Sequence, residues 1–133
     1  MRGLDTNVLV RYLLRDDRHQ SDLARQAIEK ALAAGEPMLV GTMALLEAEW
    51  VLRSGAGLSK GEIILLFKQL LEARDVVFEN EAVVEQALYT FENGNVEFAD
   101  CLLIAQYQYL GCSSMLTFDI RASKAPGGER LVA

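Results

Sequence analysis

Short apolar runs alternate along this chain with longer amphipathic stretches, and that alternation most constrains what the chain can fold into. Met1–Leu4, Pro37–Gly41, Val76–Phe78 and Ser114–Phe118 read as strands, each too short and too apolar for a surface helix. Between them lie helical stretches. Thr6–Leu14 reads as one, followed by the polar group Arg15–Gln20. In Ser21–Ala34 the residues Leu23, Ala24, Ala27, Ile28, Ala31 and Leu32 recur at three- and four-residue steps, and Gly35 ends the run. Thr42–Arg53 reads as a helix with Thr42 as N-cap. Ser59 is placed to cap a helix running to about Arg74, with Glu62 completing a capping box. Asn80–Glu92 and Glu97–Leu110 are two more helices, the first stopped by Asn93-Gly94-Asn95 and the second by Gly111. Asp119–Lys124 is a loop or short helix, and Arg130–Val132 a possible last strand after the turn Pro126-Gly127-Gly128. Strands separated by helices imply a parallel sheet covered on both faces, with ligands bound beyond the carboxyl ends of its strands. The length of 133 residues suits one domain, 1–133, and no internal repeat or linker is visible.

Four acids stand out against this frame. Asp5 directly follows the first strand, where the bland role is an N-cap. Glu47 lies in TMALLEAEWVL, with Met43, Ala44, Trp50 and Val51 at helical spacing. A glutamate surrounded on its helical face by apolar groups must find a cation, take up a proton, or point out at an edge. Glu49, by contrast, has Arg53 four residues on and reads as an ordinary surface or structural ion pair. Trp50 reads as a core residue. Asp100 sits in the first turn of a helix, near Leu103 and Ile104, where the helix dipole alone favours an anion. Asp119 follows MLTF at the end of the fourth strand, and Thr117 shares its face by two-residue periodicity. If the first and fourth strands are neighbours, all four acids converge at one edge of the sheet. Carboxylates that close cannot all ionise without cations, and oxygen-only ligands favour Mg²⁺ or Mn²⁺ over zinc.

The same residues exclude other chemistries. His19 is the only histidine, expected in a polar loop, and no Cys-x-x-Cys pattern or Gly-rich phosphate loop occurs. The two cysteines, Cys101 and Cys112, read as buried free thiols. A formal charge of −6 argues against non-specific nucleic-acid binding. Setting aside four site carboxylates from the 19 acids leaves 15 against 13 Lys and Arg, and bound divalent ions invert the local charge further. Arg11, Arg15, Lys60, Arg121 and Lys124 are candidates to follow a phosphate backbone, with Arg11 and Arg121 singled out because each lies just beyond a site acid. The N-terminus carries Asp5 where a signal peptide needs its apolar centre, no apolar run approaches a membrane span, and a cytoplasmic location is expected.

LDTNVLVRYLLRDD, LLEAEWVL, FADCLLIA and LTFD, in this order and spacing, resemble PIN domains, and most closely the VapC-type toxins of toxin–antitoxin pairs. The resemblance spans essentially the whole chain. It implies a three-layer α/β/α fold with a parallel sheet of four to five strands in the order 3-2-1-4-5. It also implies a Mg²⁺- or Mn²⁺-dependent ribonuclease that leaves a 5′-phosphate. Residue by residue, the Asp of LDTN is Asp5, the mid-chain Glu is Glu47, the Asp of FAD is Asp100 and that of TFD is Asp119. Thr6, Asn7 and Thr117 match supporting positions. Glu97 stands where many relatives have Asp before FAD. The resemblance further implies a short antitoxin partner and a homodimer. Two other classes stay open: a PIN-like binding module without catalysis, and an aspartate-dependent phosphatase, against which Asn7 counts because such enzymes place a second Asp there.

Overall fold

The computed structural model describes residues 1–14 and 18–132, with backbone alone at 18 and 19. The chain divides into two compact units, Met1–Glu81 and Ala82–Ala133.

In the first unit, β1 (Arg2–Leu4), β2 (Met38–Val40) and β3 (Val77–Phe78) form a parallel sheet in the order β1-β2-β3. Its register pairs Leu4 with Val40 and Val40 with Phe78. Parallel strands need a crossover, and the chain supplies helices for each. α1 (Thr6–Leu14) and α2 (Arg18–Ala33) link β1 to β2. α3 (Thr42–Trp50), a π-helical turn (Val51–Gly55) and α4 (Lys60–Ala73) link β2 to β3. α1 packs on both α2 and α3. Leu9, Ile28, Val40, Leu45, Leu52, Ile63 and Phe67 are fully buried. α4 begins as expected. The Ser59 hydroxyl accepts the Glu62 amide, and the Glu62 carboxylate accepts the Ser59 amide.

In the second unit, α5 (Glu81–Asn93, which starts on the last residue of the first) and α6 (Phe98–Tyr109) carry the apolar faces. Phe91 and Phe98 meet edge to face with ring centroids 5.3 Å apart. β4 (Met115–Thr117) and β5 (Gly128–Arg130) pair in parallel across α7 (Ile120–Lys124). Within each unit the strand order, 3-2-1 in the first and 4-5 in the second, agrees with the order expected there.

Several local expectations are corrected. α3 is not capped by Thr42. Gly41 occupies the N-cap, and the Glu79 carboxylate accepts the Thr42 amide at 2.9 Å from beyond β3. The α-helix stops at Trp50 and widens into the π-turn, where the Ala56 amide reaches back five residues to the Val51 carbonyl. α2 starts at Arg18, so the backbone at His19 is helical and not a loop. Arg15 lies outside the described residues. The last strand is Gly128–Arg130 and not 130–132, because Gly128 can enter the ladder where a side chain cannot. A Cβ there would collide with the Ala122 carbonyl and lie 3.0 Å from Ser123 Cα. Gly127 adopts φ 93°, a conformation that L residues with side chains rarely take. Cys101 is buried but Cys112 is exposed, and both are free thiols.

Candidate active site

In the first unit, Asp5 follows β1 and starts α1. Its Oδ1 accepts the Val8 amide at 2.9 Å, so one carboxylate oxygen caps the helix. The next residue, Thr6, donates its hydroxyl to Glu47 Oε2 at 3.4 Å, a long hydrogen bond that links the start of α1 to α3. Asn7 and Arg11 line the same hollow as Asp5. Its volume is about 320 Å³, and Val8, Leu23 and Ala27 are among its apolar lining residues.

The surroundings of Glu47 differ from the expectation. Leu45, Ala48, Glu49 and Leu52 form the buried stripe of this helical stretch, while Met43, Glu47 and Trp50 lie on its exposed face. Trp50 is 60% exposed and so is not a core residue. The buried acid is Glu49, at 3% exposure. Its two oxygens accept from Arg53 Nε at 3.0 and 3.3 Å, the ion pair that the four-residue spacing suggests. The apolar neighbours of Glu47 therefore do not bury it. They leave its carboxylate exposed, where Thr6 is its one hydrogen-bond partner among the described residues.

In the second unit, Asp100 occupies the first turn of α6 and is half-buried. Its pKa is raised above the ordinary 3.8, first by desolvation and then by the negative charges of Asp119 and Glu97. Glu97 holds the N-cap position of α6, but its side chain makes no capping hydrogen bond. Its charge acts on Asp100 instead. Asp119 Oδ1 accepts the Ala122 amide at 2.8 Å and so caps α7. The Thr117 hydroxyl accepts the Asp119 amide at 3.0 Å, which fixes the backbone at that corner.

The nucleus of each group was readable as single acids in a local pattern. The N-cap role was readable for Asp5, and in the structure Asp5 and Asp119 each give one oxygen to the helix that follows.

The structure thus brings Asp5, Thr6 and Glu47 together in one unit, and Glu97, Asp100 and Asp119 in the other. Among the described residues, no three His, Cys, Asp or Glu side chains already stand close enough to enclose a metal ion. Carboxylates repel one another at close approach unless a cation or a proton stands between them. The donor chemistry nonetheless fits a hard divalent cation. All the donors are oxygens, and the charge that raises the Asp100 pKa is of the kind a cation neutralises.

The family model of the PIN domain matches residues 4–128. The chain belongs to the PIN-domain family. The match takes in both units and all four acids, from Asp5 to Asp119. PIN domains are usually nucleases, and they generally use divalent metal ions. No curated protein matches this PIN domain. Among the described residues, no helix is long and apolar enough to cross a membrane.

Proposed function

We propose that this PIN domain is a Mg²⁺- or Mn²⁺-dependent ribonuclease, the toxin of a VapBC-type toxin–antitoxin pair. It would act as a single cytoplasmic domain and a homodimer, restrained by a short antitoxin. The observation that carries the reading is the family match across nearly the whole chain, with an acid at each of the four motif positions. Asp5, Glu47, Asp100 and Asp119 would hold the cation. Such an ion, when bound, lowers the pKa of water and offsets charge on the leaving oxygen.

The rest of the chemistry belongs to the side chains. Hydrolysis adds water to phosphorus and breaks the bond to the 3′ oxygen, which leaves protonated, with the phosphate on the 5′ side. Thr6 orients the Glu47 carboxylate through their hydrogen bond. Thr117 holds the backbone of Asp119. Desolvation and the charges of Asp119 and Glu97 disfavour the ionised form of Asp100, a penalty that a cation would offset. Arg11 and Arg121 would pair with phosphates of the RNA backbone.

The test is cleavage of single-stranded RNA with and without Mg²⁺. Asp5→Asn and Asp100→Asn are expected to abolish metal-dependent cleavage and to leave the circular dichroism spectrum unchanged. Near wild-type activity in either variant removes that residue from the assignment. A wild-type protein that binds RNA but never cleaves it is a binding module.

A further inference from the structure

Residues 82–133 contain six acids and only three basic residues, Arg121, Lys124 and Arg130. Two of those three, Arg121 and Lys124, line one hollow of about 300 Å³ formed by α5, the loop before α6, and α7. No carboxylate lines it. Among the described residues neither cation appears in an ion pair, although acids outnumber them in the same stretch. Thr90, Asn93 and Asn95 add hydroxyl and amide groups, and Tyr89, 65% exposed, adds an aromatic ring.

Each component has a counterpart in a single-stranded nucleotide. Bases stack on exposed aromatic rings, side-chain amides meet base edges, and paired cations meet phosphate. The volume is at the lower end of the range for small-molecule sites, which suits one nucleotide and not a duplex. With two cations and no carboxylate among its lining residues, the hollow favours a phosphate.

We propose that this hollow is a nucleotide subsite that takes one unpaired residue of the RNA, with its base on Tyr89 and its phosphate at Arg121 and Lys124. None of the four acids proposed for the chemistry lines it, and it rests on the reading of the chain as an RNA-acting domain.

The test is fluorescence anisotropy with a short labelled single-stranded RNA in EDTA, so that binding is read without cleavage. Tyr89→Ala is expected to weaken binding about fivefold or more. Tyr89→Phe, which keeps the ring, retains wild-type affinity. Lys124→Ala lowers the slope of log affinity against log salt by about 0.7, the value for one phosphate contact on a single strand. Unchanged affinity and slope in both Tyr89→Ala and Lys124→Ala overturn the subsite, as does a wild-type protein that binds no RNA. Tighter binding of polyglutamate than of RNA assigns the hollow to an acidic protein and overturns it too. A parallel Mg²⁺ cleavage assay separates the two readings. Binding through the hollow without cleavage keeps the subsite and removes the nuclease. Cleavage with the hollow variants indistinguishable from wild type does the reverse.

Discussion

Replacing Asp100 by Asn should make the protein more stable without metal and less stable, relative to wild type, with it. Desolvation and the charges of Asp119 and Glu97 hold the native pKa of Asp100 above its ordinary 3.8. Stability tied to the protonated form is therefore fully present below pH 3.8 and is lost as pH rises through the native pKa. At neutral pH the wild type carries that penalty and the Asn variant does not. Asp100 is only half-buried, so solvent screens the effect, and exposed charge pairs contribute about 0.2–1 kcal/mol each. A gain of about 0.5–1 kcal/mol follows, which is a melting-temperature rise of about 2–4 °C in a chain of this size. A cation at ten times its dissociation constant stabilises the protein that binds it by about 1.4 kcal/mol, or about 5 °C. The wild type should then overtake the variant. Differential scanning calorimetry at pH 7, in EDTA and in excess Mg²⁺, reads both effects. An Asn variant that melts below wild type in EDTA, or an equal rise of both proteins with Mg²⁺, refutes the reasoning.

Three further predictions concern the frame that carries these acids. Ser59→Ala should cost about 1 kcal/mol through loss of the α4 cap, measured by urea denaturation. The hydrogen bonds from the backbone and then the side chain of Ser59 lower the Glu62 pKa below 4.5. The stability they supply is present above pH 4.5 and lost as pH falls through the native value, so Glu62→Gln should flatten that acid limb. Gly128→Ala should destabilise the protein by about 1–3 kcal/mol, because the new methyl meets backbone of α7 that cannot rotate away. Gly3→Ala, which meets nothing within 4 Å, is the control and should melt close to wild type.

The strand and helix order was legible because alternating periodicity is local, and so were the capping box at Ser59 and the Glu49–Arg53 pair. The face that α3 buries was not. Its sequence is apolar on nearly every side, so the stripe at 45, 48, 49 and 52 and the one at 43, 47 and 50 compete on equal terms, and only packing selects the first. Glu47 was picked out for the wrong reason. It looked buried but is exposed, and what ties it to Asp5 is a threonine hydroxyl. The π-turn after Trp50 has no signature in residue type, and the start of β5 depended on a steric clash across the chain that no local pattern encodes. At the site, Asp5, Asp100 and Asp119 could be found at the end of a strand or the start of a helix, and Glu47 within one. Their mutual distances could not, since those depend on long-range folding.

Asp5 and Asp119 each cap a helix with the same side chain that the proposed function assigns to the cation, and this changes how their loss must be interpreted. Truncation to alanine removes an ionic charge and also unravels the first turn of the neighbouring helix, so a dead alanine variant is ambiguous between lost chemistry and a slackened scaffold. Asparagine keeps the acceptor that the helix needs and deletes only the negative charge. A routine alanine scan would therefore overstate what these two positions contribute to bond cleavage, and the amide replacement is the one that isolates it.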